Sequence, residues 1–298
     1  MEEATVLTHG VLIDELASLA DAYPFLHVSS LGKSLVGRDI PLVTLGEGKK
    51  SVLYVGTHHG MEWITGILCL SYLKEFARAV TERRQVFGIH ASLILQTRRI
   101  LVVPMLNPDG VELQIRGEDP DNPLTERLRT MSGGDFSHWQ ANGRGVDLNH
   151  NYDAGFASYK AMEPALGIFG GGPTRFSGAH PESEPETAAL CRQIRREPPQ
   201  LLIALHTQGG EIYADYNEYM PKGSALLARR MAAVSGYTVA RPEAAACFGG
   251  LKDWFIRAYD RPGFTLECGH GVNPLPPEEA ARLYGEIRGI LFAAPTWI

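Results

Sequence analysis

The chain has 298 residues, 44% hydrophobic and 21% charged, with a formal net charge of −6. That composition suits a globular protein with a sizeable core, and an acidic balance with both signs dispersed argues against nucleic acid or an anionic membrane as partner. The four cysteines, Cys69, Cys191, Cys247 and Cys268, lie far apart with no Cys-x-x-Cys, which favours buried free thiols over disulfides or a structural zinc.

Residues 1–23 start acidic and turn amphipathic, with no basic leader and no continuous apolar segment. The expectation is therefore a cytoplasmic protein without a signal peptide, and no apolar run approaches membrane-spanning length. A helix is predicted over 8–23, stopped by Pro24, and strands at 28–30 and 40–45. The run 51–56 (SVLYVG) reads as a buried strand, and 61–76 carries Ile64, Ile67, Leu68, Tyr72, Leu73 and Phe76 at helical spacing. The charged residues 78–85 complete that helix and exit. A second buried strand, 99–104, runs into Asn107-Pro108-Asp109-Gly110, a turn by composition.

Residues 119–149 are polar and aperiodic, the signature of a functional loop. Residues 168–185 are again rich in Gly and Pro, but Gly170-Gly171-Gly172 lacks the Gly-Lys-Ser/Thr of a phosphate loop. Helices are predicted over 183–196, 222–235, 249–259 and 276–292, and strands at 201–205 and 264–267. Short apolar strands alternating with amphipathic helices imply helices on both faces of a mostly parallel or mixed sheet. With no linker and no repeat, residues 1–298 are expected to form one domain, with helix 8–23 packed on it.

The chemistry concentrates at strand ends. His59 and Glu62 are three apart at the elbow between the strand 51–56 and its helix, where one turn of chain can aim both at one point. An imidazole and a carboxylate so placed make two zinc ligands; a capping histidine with a first-turn glutamate would read the same. His206 surfaces from the strand 201–205 and completes a His₂Glu set that leaves a position for water. Glu267, at the end of 264–267, is either a strand-end carboxylate paired with an arginine or a general base.

Six segments in order resemble the zinc carboxypeptidase family, the carboxypeptidase A-like metallopeptidases: GKSLVGRDI (32–40), HGMEW (59–63), NPDG (107–110), GVDLNHNY (145–152), Leu205-His206 and FTLE (264–267). The resemblance implies a three-layer α/β/α fold with a mixed sheet of roughly eight strands. It implies one zinc per chain on His59, Glu62 and His206, with Glu267 as catalytic base. His58 is then structural or helps orient a ligand. The family's oxyanion-stabilising arginine falls, in strict register, on Gln140, and Arg144 is the nearest arginine, with a pairing to Asp147 as its alternative role.

Three departures bear on substrate. The family's Asn-Arg-Asn, whose arginine grips a terminal carboxylate, reads Asn149-His150-Asn151 here, so the bidentate clamp is missing. The family tyrosine that closes over the substrate aligns with Ala245, and a pocket-base position aligns with Lys252. The stretches WQANGRGVDLNHN, GPTRFSGAHPESEPET and ECGHGVNPLP resemble bacterial γ-D-glutamyl-diamino-acid peptidases. The implied activity is hydrolysis of the γ-D-glutamyl–meso-diaminopimelate bond in small peptidoglycan-derived peptides, with Asn149, His150 and Lys252 meeting substrate carboxylates. The rivals are an ordinary metallocarboxypeptidase releasing C-terminal amino acids, a zinc amidohydrolase or deacylase of small N-acyl amino acids, and a non-enzymatic wall-peptide-binding module. The sequence leaves oligomeric state open.

Overall fold

A computed structural model describes residues 6–118, 122–242 and 244–298. The acidic residues that open the chain, the start of the polar stretch at 119–121, and residue 243 lie outside the described residues.

Eight strands form one sheet: β1 (Leu26–Lys33), β2 (Asp39–Leu45), β3 (Lys50–Val55), β4 (Arg98–Val103), β5 (Leu201–His206), β6 (Glu211–Tyr213), β7 (Thr238–Ala240) and β8 (Gly263–Glu267). Their order across the sheet is β1-β2-β4-β3-β5-β8-β6-β7. The central strands β4, β3, β5 and β8 run parallel to their neighbours within that group, whereas β1, β2 and β6 join antiparallel. The sheet is therefore mixed, as the sequence implies.

Both faces of the central strands are covered, which is why they read as unbroken apolar runs. Alternate residues serve opposite cores. Val52, Tyr54, Leu201 and Ile203 face the core built with helices His9–Ala22, Ile64–Thr81, Ser224–Ser235 and Ala280–Ala293. Leu53, Val55, Leu202 and Ala204 face a second core with helices Pro185–Arg196 and Leu251–Tyr259. Cys69, Cys191 and Cys268 are buried, Cys247 is half-buried, and all four are free thiols.

The structure differs from the sequence reading where local chemistry was ambiguous. Asn107-Pro108-Asp109-Gly110 is the start of a helix, Pro108–Arg116, rather than a turn. The Asn107 side chain accepts from the Gly110 N–H at 2.9 Å, and Pro108 stands where a missing N–H costs nothing. The polar stretch after residue 121 holds a helix, Thr125–Ser132, and a 3₁₀ turn, Leu148–His150. Helices Ala91–Thr97 and Phe156–Met162 and the short strands β6 and β7 also went unpredicted. They are too short for periodicity to build up.

Strands β4 and β5 lie on opposite sides of β3, and an open parallel sheet offers a crevice outside the carboxyl ends of its strands at such a point. The elbow after β3 fills it closely. Gly60 donates its N–H to the Gln140 carbonyl at 2.9 Å, and a Cβ there would lie 2.5 Å from the Gly110 carbonyl carbon. A Gly60→Ala chain must push two backbones apart, so we expect a loss of about 1–3 kcal/mol by urea denaturation. An unchanged denaturation midpoint would contradict this packing.

Candidate functional site

Each principal side chain is delivered by the end of a buried strand. His59 and Glu62 follow β3, with Thr57 before them at φ 55°. That uncommon backbone is fixed by the Thr57 N–H to Thr65 Oγ1 at 2.8 Å and by the Thr57 hydroxyl donating to the Pro104 carbonyl at 3.1 Å. His206 ends β5 and Glu267 ends β8, and the parallel register pairs the two directly.

Glu62 is the hub. One of its carboxylate oxygens lies 2.8 Å from His59 Nδ1 and the other 3.0 Å from His206 Nδ1. One ligand atom from each of the three residues fits within 4.8 Å of the others. Two imidazoles and a carboxylate are the donor set of a catalytic zinc site. His59 Nε2 meets Asp147 Oδ1 at 3.2 Å, the carboxylate–histidine arrangement that orients a metal ligand, while the buried His206 Nε2 has no hydrogen-bond partner. These residues fit a zinc ion. His58, fully buried, stacks on His206 at 5.1 Å and meets the Tyr152 hydroxyl at 3.0 Å, so it braces the site from behind.

The charges follow from this crowding. Burial opposes a charged His59, yet the carboxylates of Glu62 and Asp147 overcome it and hold its pKa well above the ordinary value. Burial likewise disfavours the Glu62 carboxylate, but His59 and His206 bring its pKa down to about 2. Glu267 moves the other way: burial and then the charge of Glu62 push it up to about 8.

Of the metal, catalytic and substrate residues assigned from the sequence, His59, Glu62, His206, Glu267, Asn149, His150 and Lys252 line one cavity of about 270 Å³. Arg144 lines a separate cavity of about 210 Å³, beside Arg127 and His180, with its Nε 3.4 Å from Glu184 rather than near Asp147. The side chain expected at the oxyanion thus stands outside the main cavity. Gln140, its strict-register alternative, does line the main cavity, and its carbonyl oxygen accepts from the Thr174 hydroxyl.

The three residues assigned to substrate carboxylates differ in their freedom. Asn149 Oδ1 accepts from the Leu251 N–H at 3.1 Å. His150 stacks on Tyr159 at 3.9 Å, bonds to the Phe248 carbonyl through Nδ1, and has its pKa lowered by burial. Lys252 is 4% exposed; its ammonium ion-pairs with Asp253 and donates to the Asp215 carbonyl. Its charge is therefore already answered within the fold. Two residues of the cavity escaped the sequence reading in these roles: Asp147, named there only as an alternative partner for Arg144, and Arg175, which lies within GPTRFSGAHPESEPET without being singled out.

Comparison with known proteins fits this geometry. The family model for zinc carboxypeptidase matches residues 12–280. The Gamma-D-glutamyl-L-diamino acid endopeptidase 1 of Lysinibacillus sphaericus is 33% identical over 287 residues, 96% of this chain and 71% of that protein. Carboxypeptidase A from Helicoverpa armigera superposes with a TM-score of 0.76 at 20% identity, covering 98% of this chain and 73% of that one. Together with these matches, the mixed α/β sheet with a His₂Glu cluster at its strand ends marks the chain as a metallopeptidase hydrolase. This chain belongs to the zinc carboxypeptidase family. Among the described residues, no helix is long and apolar enough to cross a membrane.

Two outcomes follow. Asp147→Asn weakens the hold on His59, and zinc affinity measured by chelator competition should fall about 10–100-fold. Because His59 carries a raised pKa in the metal-free protein, zinc must displace its proton, so affinity should weaken as pH falls through that raised value, from above the range where an ordinary histidine begins to compete. A pH-independent zinc constant would contradict the His59–Glu62–Asp147 assignment. Lys252→Ala leaves Asp253 buried without its cation and should destabilise the fold by about 3–5 kcal/mol in chemical denaturation; full stability with only a raised KM would show Lys252 to be a free substrate clamp.

Proposed function

We propose that this zinc metallopeptidase hydrolyses the γ-D-glutamyl–meso-diaminopimelate bond of small peptidoglycan-derived peptides. The observation that carries the reading is position 150. A clamp for an ordinary C-terminal carboxylate needs a permanent cation in fork geometry, and position 150 instead holds an imidazole stacked on Tyr159 with its pKa lowered by burial. Support also comes from the Lysinibacillus sphaericus relative, whose name states a γ-D-glutamyl-diamino acid activity.

In this reading His59, Glu62 and His206 hold the metal. Zinc, when bound, supplies Lewis-acid polarisation of a carbonyl, a lowered pKa for water and a positive charge that offsets that of Glu62. Glu267, as carboxylate, takes a proton from the attacking water at its Oε while the water oxygen bonds to the γ-carbonyl carbon. As that carbon–nitrogen bond breaks, Glu267 returns the proton to the leaving amine. Gln140, fixed through its carbonyl oxygen by Thr174, keeps its amide N–H groups for the oxyanion in place of an arginine.

The test is mass spectrometry of products from L-Ala-γ-D-Glu-meso-diaminopimelate with zinc and with a chelator. We expect cleavage at the γ-D-glutamyl bond, abolished by the chelator. Glu267→Gln should lose about 10²–10⁴ in kcat while keeping its zinc. Release of single C-terminal residues from ordinary peptides, with the γ-bond intact, would overturn the substrate assignment and leave the metal chemistry standing.

A further inference from the structure

Besides the metal-ligand histidines, three basic side chains line the cavity: His150, Lys252 and Arg175. The first two have no charge to spare, as His150 is pushed toward neutrality by burial and Lys252 is paired with Asp253. Arg175 is different. Its side chain is exposed at the cavity mouth, and among the described residues no hydrogen bond or ion pair engages its guanidinium.

Its backbone, by contrast, is held at both ends. The Arg175 N–H donates to Asp147 Oδ2 at 3.0 Å, and the Arg175 carbonyl accepts from the Tyr159 hydroxyl at 2.7 Å. Its φ is +68°, a conformation that a long side chain adopts only when its surroundings impose it. The two anchors are informative. Asp147 uses its other oxygen on His59, so one carboxylate ties the position of Arg175 to that of the metal-facing imidazole. Tyr159 is the ring on which His150 stacks, so Arg175 stands beside the residue that replaces the clamp arginine.

We propose that Arg175 is the specificity-determining residue of this cleft, its guanidinium binding a substrate carboxylate close to the scissile bond. It deepens the peptidase reading above and rests on it. A planar fork of donors on a fixed backbone recognises a carboxylate bidentately, and a γ-D-glutamyl-diaminopimelate peptide presents several carboxylates near the cleaved amide. The free cation comes from a different segment of chain than position 150, so the carboxylate it meets need not be a C-terminal one.

The experiment compares kcat/KM for the tripeptide and for versions amidated at one carboxyl group at a time, using wild type, Arg175→Lys and Arg175→Asn. Asparagine tolerates a positive φ, so the variant removes the guanidinium while keeping the turn, and circular dichroism with zinc content verifies the fold. We expect one amidation to cost wild type about 10–100-fold and to cost Arg175→Asn no further loss, with Arg175→Lys intermediate. The loss should appear in KM, and in affinity measured by calorimetry on Glu267→Gln protein. If every amidation costs Arg175→Asn as much as wild type, or the variant loses kcat equally on all substrates, the assignment is overturned. If wild type does not cut the γ-bond at all, the substrate reading fails, and the same acid-against-amide comparison on whatever peptide it cuts decides the role of Arg175.

Discussion

A carboxylate buried between two imidazoles is the constraint on which the rest of this molecule depends. Glu62 is 2% exposed, and a buried charge is tolerated only with partners that answer it closely. His59 and His206 approach its two oxygens from different segments, one from the elbow after β3 and the other from the end of β5. That meeting requires β3 and β5 to be adjacent and parallel, and the strained Thr57 and the side-chain-free Gly60 to turn the chain sharply. It also requires a second carboxylate, Asp147, behind His59. The sheet order, the elbow and the GVDLNHNY turn are thus conditions of a single cluster of charges. A divalent cation completes that cluster by neutralising what the protein has gathered.

The neighbouring groups are organised by the same electrostatics. Glu267 sits beside His206 in register, where burial and then the like charge of Glu62 raise its pKa, which suits a group that must both take and return a proton. On the other wall, Lys252 and Asp253 satisfy one another, and His150 is held flat against Tyr159. The cleft thus spends most of its polar groups on holding its own shape. What remains free to meet a substrate is limited, which makes an unpaired guanidinium at its mouth informative.

Much of this was legible in the chain. The central strands were, because strands buried on both faces are continuous apolar runs with no competing period. The metal cluster was, because His59 and Glu62 lie three apart and His206 ends an apolar strand. The illegible parts have physical reasons. Asn107-Pro108-Asp109-Gly110 has turn composition, yet the same residues cap a helix, and only the following packing chooses between them. Helices such as Thr125–Ser132 bury a single large residue, Leu128, and leave almost no periodic trace. Arg144 was expected in the site because sequence distance is a poor proxy for direction: the Gly145 turn sends it to Glu184. Lys252 read as a free cation because its neutralising neighbour, Asp253, is adjacent in sequence, where side chains on a helix ordinarily diverge. Arg175 was not singled out within GPTRFSGAHPESEPET, since its importance arises from two backbone anchors contributed by distant segments.

The central claim is that Glu62, His59 and His206 form one zinc site braced by Asp147. X-ray absorption at the zinc edge on the purified protein tests it most directly. One zinc per chain is expected, with two imidazole nitrogens at about 2.0–2.1 Å and carboxylate oxygen at about 2.0–2.2 Å, without sulfur. Sulfur in the coordination sphere, or a spectrum unchanged when Glu62 is replaced by alanine, would contradict it.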